Sequence, residues 1–244
     1  FALRSRRVIT NSGERAATVV VADGKIAAVL NYDETPNCAV EDLGNKVLMP
    51  GLVDTHVHIN EPGRTEWEGF NTATQAAAAG GITTVVDMPL NCTPVTTSVD
   101  ALQQKLDALG DQLWVDCGFW GGVVPDSLDD LDDLLCAGVL GVKSFTIHSG
   151  IDDFPQVDET HIRRALPIIA AHNVPYLIHA ELDRNNTPPA EIGDSYQSFL
   201  ASRPRSWEND AIDLVIELAE EAKHAGHNAR MHIVPLSSAD ALPA

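Results

Sequence analysis

Several residues that could bind a metal ion lie near the ends of predicted strands. His56 and His58 are separated by one residue, so in a strand both imidazoles leave from the same face. Lys143 and His179 each stand near the end of a later apolar segment. Imidazoles that converge at a strand end favour a first-row transition metal. A His-x-His pair also arises by chance, so the pair alone leaves both interpretations open.

The elements that must position these residues form a repeating pattern of strand, loop and helix from about residue 47. Strand-like segments are predicted at 47–53, interpreted as a buried strand leading into the histidine pair, and at 82–89, 113–120, 141–146, 175–181 and 229–236. Helices with apolar i, i+4, i+7 spacing follow them, one behind Ser98 as N-cap. This alternation predicts parallel βαβ units, and hence an α/β fold. Six units in series predict a TIM-type (β/α) barrel that is incomplete, with about six of eight strands.

The first 48 residues differ in sequence pattern from the rest of the chain. They contain short alternating segments, and Asp23-Gly24 between two of them is a strong hairpin signal. We therefore predict a small all-β portion at 1–48 and a partial barrel domain at 49–244. An open array of six strands would leave two unpaired edges and an exposed apolar interior.

The composition excludes some classes of partner. The chain has 244 residues, is 44% hydrophobic and carries a formal net charge of −19. An acidic surface repels phosphate backbones and anionic membranes, so neither nucleic acid nor a membrane is expected as partner. The acidic run at 129–133 is interpreted as a solvated helix face rather than a metal site. A polar loop is expected around Pro188 and Pro189.

The cysteines and the first residues of the sequence lead to an expectation about the cellular compartment of the protein. Cys38, Cys92, Cys117 and Cys136 show no CxxC spacing and stand among apolar residues, which predicts reduced core thiols in an intracellular protein. No apolar run approaches 18 residues, and the start lacks the apolar core of a signal peptide. The sequence begins at Phe1 without a Met, so an upstream piece is expected to be missing.

In (β/α) barrels the working residues sit at the carboxyl ends of the strands. Those positions hold His56 and His58 on the first strand, Lys143 on the fourth, His179 on the fifth and His232 or its neighbours on the sixth. A single barrel histidine usually has a structural role, and a single buried lysine usually has a carboxylate partner. Together, however, these positions favour a metal site.

Four segments resemble one enzyme family. They are GLVDTHVH, GVKSF, LIHAE and HIVPLSSA, and together they resemble the cyclic amidohydrolases of the amidohydrolase superfamily, which include dihydroorotase, dihydropyrimidinase and allantoinase. The runs HINEPGRTEWEGF and AAAAGGITTVVDMPLN are most similar to allantoinases. Dihydroorotases have an Arg where this chain has Asn60. The resemblance implies that 1–48 belong to a β-sandwich completed by C-terminal strands.

The resemblance also implies a metal centre. It would contain two divalent ions, usually zinc, bridged by a carboxylated lysine and a hydroxide. His56 and His58 would hold the more buried ion, His179 the second, and Lys143 would form the bridging carbamate. An ammonium cannot bind a cation, but a lysine kept neutral by burial can add carbon dioxide.

The remaining implications concern substrate and assembly. Arg64 and Asn91 would line the substrate pocket, although both could equally be loop residues with local hydrogen bonds. The substrate would be allantoin, opened to allantoate in purine catabolism. The catalytic residue would be an Asp on strand eight, beyond residue 244. A homotetramer in the cytoplasm is implied, with the peroxisome or another organelle left open.

The chain departs from the family at strand six. The family motif has the form H-x-x-H-x-S-S, and its second His is a ligand, but Pro235 stands there. His232 comes three residues before Pro235, so in an ideal strand it is expected on the opposite face from position 235 and about 10 Å further down the strand. The expected form is therefore a fragment, a truncated gene product or a diverged relative. A dihydropyrimidinase- or dihydroorotase-like hydrolase and a catalytically inactive partner protein remain as alternatives.

Overall fold

The computed structural model describes residues 1–184 and 192–243, which belong to two compact units, Phe1–Leu52 and Val53–Ala244. The loop prolines at 188 and 189 lie outside the described residues. No described helix is both long and apolar enough to cross a bilayer. The assignment of 1–48 to a β-sandwich domain and 49–244 to a partial barrel domain stays a prediction.

The first unit is an antiparallel sheet with two parallel additions. Its strands are β1 (Ala2–Thr10), β2 (Gly13–Ala22), β3 (Lys25–Asn31), β4 (Val40–Asp42) and β5 (Val47–Leu48). Their order is β3-β2-β1-β4, and β5 pairs with β1. Asp23 and Gly24 connect β2 to β3 with φ of 51° and 70°, which confirms the predicted hairpin. Its small core contains Val8, Ala17 and Val19.

The second unit alternates strands and helices as predicted. The strands are β6 (Leu52–Val57), which starts at the last residue of the first unit, β7 (Ile82–Asp87), β8 (Asp116–Phe119), β9 (Gly121–Gly122), β10 (Val142–Phe145), β11 (Pro175–His179) and β12 (Arg230–Ile233). The helices are α1 (Phe70–Ala79), α2 (Val99–Leu109), α3 (Leu131–Cys136), α4 (Glu159–His172), α5 (Tyr196–Ala201) and α6 (Arg205–His224), with 3₁₀ turns at Pro125–Ser127 and Ala239–Ala241. Ser98 caps α2 by accepting a hydrogen bond from Ala101 N, as expected.

The strands form two sheets, in the orders β6-β7-β8 and β12-β11-β10-β9. The registered pairs in both sheets are parallel, which confirms the α/β class. The segment 116–122 contributes β8 to one sheet and β9 to the other, and Trp120 N donates to Asp87 O between them. Within residues 1–184 and 192–243 the sheets do not close into a barrel, and β6 and β12 are the end strands away from the segment 116–122.

The two faces of these strands pack against different partners. Val142, Tyr176 and Ile178 pack on the helix side with residues of α3, α4 and α6. Phe145 and Leu177 pack on the other side with aromatic and aliphatic residues from β7 and the loops. Side chains alternate along a strand, so Lys143 and His179 belong to this second face.

Two sequence-based expectations about burial are wrong. Cys38 and Cys136 are exposed rather than in the core, while Cys92 is buried and Cys117 intermediate. The segment leading into the histidine pair is not a buried strand either, since Leu52 and Val53 are 51% and 61% exposed. The reason is that β6 is an outer strand with a described neighbour on one side only. The acidic run at 129–133 is exposed at its four aspartates, as expected.

Candidate metal centre

The two histidines of β6 form a pair of neighbouring imidazoles. His56 lies in the strand and His58 directly follows its last residue. Their ring centroids are 5.4 Å apart, with a tilt of 50°. Burial lowers the pKa of His58 to about 4, with smaller contributions from the charges of His56 and Lys143. Burial and Lys143 also lower the pKa of His56, so both rings are neutral at neutral pH, as metal ligands must be.

Lys143 is a buried lysine on β10, only 2% exposed. Its Nζ lies 4.6 Å from the centroid of the Phe145 ring. No ion pair joins it to any residue in the described ranges 1–184 and 192–243. Burial lowers the pKa of Lys143 to about 8, so a fraction of the amine is neutral near pH 7. Such an amine fits the formation of a carbamate.

His179 ends β11 and faces the same side. Its ring stacks on Phe145 with centroids 4.7 Å apart, and these two residues are partners in the β10–β11 register. Nε2 of His179 lies 2.6 Å from Oε1 of Glu181, and this hydrogen bond lowers the pKa of the Glu181 carboxyl. Arg203 stands 3.6 Å from the other oxygen of Glu181. Sequence reasoning missed Glu181, although the quoted LIHAE motif contains it.

These donors suit two linked half-sites rather than one closed triad. Among the described residues, the ring nitrogens of His56, His58 and His179 do not all come within 4.8 Å of one another. The charges of Lys143 and His179 nevertheless contribute to the lowered pKa of His56, so these groups lie near one another at the strand ends. A carbamate with two oxygens on Lys143 would fit between the half-sites.

A buried ion pair supports the loop after His58. Asp87, the last residue of β7, accepts a hydrogen bond at Oδ1 from Ile59 N at 2.6 Å and pairs through Oδ2 with Lys105 Nζ. Both side chains are at most 1% exposed. Burial raises the pKa of Asp87 to about 6, and the Asp87 charge raises the pKa of Lys105, so both are charged at neutral pH. In the sequence, the one indication of this pair is that Asp87 and Lys105 are charged residues within otherwise apolar patterns.

The loops after β6 and β7 are tied together beside the histidines. Thr93 N donates to Pro62 O at 2.8 Å, and Arg64 Nη1 donates to Asn91 O at 3.1 Å. The Asn91 side-chain nitrogen lies 3.4 Å from Nδ1 of His58. Arg64 and Asn91 are therefore brought together next to His58. Their mutual hydrogen bond also fits the alternative stated above, in which both residues make local hydrogen bonds in a loop.

Two further residues of the loop after β6 have definable roles. Oε2 of Glu61 accepts a hydrogen bond from Phe70 N, which places a carboxylate at the amino end of α1. Asn60 is 8% exposed, and its buried Oδ1 has no hydrogen-bond partner among the described residues. A buried acceptor without a partner is costly, so Asn60 Oδ1 is an unsatisfied polar atom in the loop directly after His58.

The end of β12 places His232 on the face of Lys143. In the ladder His232 pairs with Leu177, which pairs with Lys143, so its side chain shares their face. The strand ends at Ile233, so no strand register relates His232 to Pro235, and the expectation that these two lie on opposite faces stays a prediction. His232 is exposed and Pro235 is partly buried in a cleft with Glu181, Arg203 and residues of α5 and α6. Pro235 offers no donor atom there.

The comparisons with known proteins agree on one family. The profile described as the amidohydrolase family matches residues 47–199. The chain is 53% identical to an allantoinase of Streptomyces avermitilis over 99% of its own length and 54% of that protein. It is 47% identical to a mitochondrial allantoinase of Aquarana catesbeiana over 98% of its length and 49% of that protein. The chain thus spans about half the length of these curated relatives.

A solved structure shows the same arrangement of elements. An L-hydantoinase (dihydropyrimidinase) from Arthrobacter aurescens superposes with a TM-score of 0.86 at 28% identity, over 99% of this chain and 54% of that one. A D-hydantoinase structure superposes at 0.75 with 22% identity, which bears on the fold alone.

Proposed function

Because the chain belongs to the amidohydrolase family, we propose that the protein is a metal-dependent hydrolase that opens the hydantoin ring of allantoin to give allantoate. The observation that carries this proposal is Lys143, whose buried amine lies near His56, His58 and His179 at the strand ends. The 53% identity to an allantoinase supports the substrate. The proposal concerns the whole protein, since the chain covers 54% of that relative.

The fold proposed for the second unit is part of a TIM-type (β/α) barrel. The series β6 to β12 supplies about six of its eight strands, and residues 1–48 supply part of a β-sandwich. The superposition on the L-hydantoinase structure at 0.86 supports both assignments.

Four residues are proposed to hold two divalent ions, with zinc as the ion that imidazole ligands suit best. His56 and His58 would hold one ion and His179 the other. Lys143 would bridge them after its neutral amine adds carbon dioxide, with loss of one proton to solvent. The neutral rings and the lowered pKa of Lys143 support these roles.

When bound, the two ions supply Lewis acidity and lower the pKa of a water molecule. The protein's own groups then bind and orient the ring. Arg64 and Asn91, which contact each other beside His58, would hold ring carbonyls. A carboxylate must carry the proton to the leaving nitrogen. The family resemblance assigns that role to an aspartate beyond residue 244.

The test is metal content and ring opening by the whole protein. We expect two equivalents of zinc and turnover of allantoin, both lost in Lys143→Ala and partly restored by added short-chain carboxylates, which replace the carbamate oxygens. Lys46→Ala removes an exposed lysine and serves as the matched control. Fewer than one equivalent of zinc together with no turnover of allantoin would overturn the proposal.

A dihydropyrimidinase-type activity is the second candidate, because the superposed structure carries that name. Turnover of allantoin, dihydrouracil and dihydroorotate by the same preparation separates the possibilities. Asn60, which stands where dihydroorotases have an Arg, favours the first two substrates over the third.

An inactive partner protein is the third candidate, favoured by Pro235. It predicts no zinc at the second half-site and no turnover of any of the three rings by the whole protein. A homotetramer is proposed for the active form, and light scattering checks it.

A further inference from the structure

Three donor side chains of different chemistry converge where the short helix α3 lies beside the carboxyl end of α4. Asp132 and Cys136 belong to α3, and His172 is the last residue of α4. Their ligand atoms all lie within 4.8 Å of one another, and Nε2 of His172 is 2.8 Å from Oδ1 of Asp132. We propose that Asp132, Cys136 and His172 form a binding site for a zinc-like divalent cation. None of them belongs to the candidate centre at the strand ends.

The helices hold these residues in place. Asp132 and Cys136 are four residues apart, so they lie on one face of α3. On the opposite, buried side, α3 packs with α4 through leucines and isoleucines that are at most 6% exposed: Leu131, Leu134, Leu135, Ile162, Leu166 and Ile169. The separation of the two helix ends is therefore set by the core and not by the exposed side chains themselves.

The donor set selects the cation. A thiolate and an imidazole favour zinc or cobalt over the hard cations calcium and magnesium, which prefer oxygen ligands. With bonds of roughly 2.0–2.3 Å, tetrahedral ligand atoms stand roughly 3.3–3.7 Å apart. The ligand atoms now lie within 4.8 Å of one another, and binding would replace the hydrogen bond between His172 Nε2 and Asp132 by a bond from each residue to the ion. Water would complete the fourth position.

The local charges favour a cation. The carboxylate of Asp132 and a thiolate at Cys136 together neutralise a divalent ion. The carboxyl end of the 14-residue helix α4 adds partial negative charge at His172. The guanidinium of Arg164, also on α4, is paired with Asp129 at 3.4 Å. An ordinary surface ion pair between His172 and Asp132 does not involve Cys136, whereas the proposed metal site does. The role of Cys136 therefore separates these two explanations.

Cobalt(II) tests the site in the full 244-residue chain under reducing, oxygen-free conditions. A thiolate ligand to cobalt produces a near-ultraviolet charge-transfer band, whereas the strand-end histidines and Lys143 contain no sulfur. We expect one equivalent of cobalt to develop this band. Cys136→Ser should abolish it, and His172→Ala and Asp132→Asn should weaken cobalt affinity at least about tenfold, as ligand loss exceeds the loss of an outer-shell partner.

The matched control is Cys38→Ser, because Cys38 is the other exposed cysteine of the chain. It should keep the full band and the wild-type affinity. Thermal unfolding of each variant shows that the fold is retained, as expected for exposed positions. Absence of the band in the wild-type chain, or its persistence in Cys136→Ser, would overturn the proposal. Zinc should displace cobalt and remove the band; failure of zinc to compete would also overturn it.

Discussion

The outer strands β6 and β12 end in two very different ways. After β6, the His56–His58 pair is followed by a loop whose first amide is held by the buried carboxylate of Asp87. At β12, His232 is exposed and Pro235 stands where a ligand is expected. One end is organised by buried charges and bonds between loops, and the other lacks a donor. A preorganised half-site binds without first ordering its ligands, so the first ion should depend on β6, β7 and Lys143 and not on the end of β12.

The largest effect should come from Asp87→Asn. It leaves the charge of Lys105 buried without its partner, and breaking a buried pair costs about 3–5 kcal/mol of unfolding free energy. Urea unfolding of the metal-free chain measures this loss. Zinc affinity at His56 and His58 should fall with it, because the single amide oxygen cannot replace both carboxylate oxygens, which accept from Ile59 N and from Lys105 Nζ.

Two controls sharpen this prediction. Glu221→Gln breaks the exposed pair with Arg163 and should cost at most about 1 kcal/mol. Replacing both buried partners, as in Asp87→Leu with Lys105→Met, should cost less than Asp87→Asn alone, because no unpaired charge remains. If Asp87→Asn were as mild as Glu221→Gln, the end of β6 would not be organised by this pair.

Gly63→Ala should give the next largest effect. Gly63 has a φ of +91°, and an added Cβ would lie 2.7 Å from both the backbone O and the Cβ of Thr93. Strain and the clash together should cost about 2–4 kcal/mol. Gly138 has a similar φ of +101° with open space around it, so Gly138→Ala should cost only about 1–2 kcal/mol. Equal losses in thermal or urea unfolding would show that the loops after β6 and β7 are not tightly joined.

The sequence predicted local features well. Hydrophobic period and turn chemistry identified the six strand positions, the Asp23-Gly24 hairpin and the Ser98 cap, because each depends on neighbours along the chain. Helix α5 was missed, since it is a short helix without buried residues. The burial of β6 was wrong because exposure depends on which strand lies alongside.

The candidate ligand residues could be selected from the sequence, but the residues that contact and position them could not. His56, His58, Lys143 and His179 were selected by the strand-end rule and the family resemblance, and their roles as ligands stay proposals. Nothing local reveals that Asp87 pairs with Lys105, 18 residues away, or that Glu181 contacts the His179 ring. These are contacts that the fold makes between elements, as is the shared face of His232 and Lys143.

A smaller effect is expected on the pH dependence of folding stability, through protonation of the His58 ring. The pKa of His58 is about 4 in the folded chain, below its ordinary 6.5. Between these values the unfolded chain binds a proton that the folded chain does not, so stability falls as pH drops from 6.5 to 4. His58→Asn should reduce this fall by about 1–2 kcal/mol after allowance for solvent screening. Taking the difference from wild type cancels the opposite contribution of Asp87, whose raised pKa stabilises the fold in acid.

Urea unfolding of the metal-free chain at several pH values, with chelator present, provides the measurement. His224→Asn replaces an exposed histidine and serves as the control for the loss of one imidazole. An identical acid profile in His58→Asn and wild type would show that the β6 half-site is solvated, like the end of β12.

The smallest effect on turnover is expected from Pro235→His in the 244-residue chain. The substitution supplies the missing imidazole at β12 and should raise zinc content at the second half-site, measured by elemental analysis. Allantoin hydrolysis should nevertheless stay at background. Ring opening also needs a carboxylate to carry a proton to the leaving nitrogen, and Glu181 is already engaged by His179 and Arg203. Turnover by Pro235→His would mean that a described carboxylate moves this proton, and Glu181→Gln in the same background would then identify it.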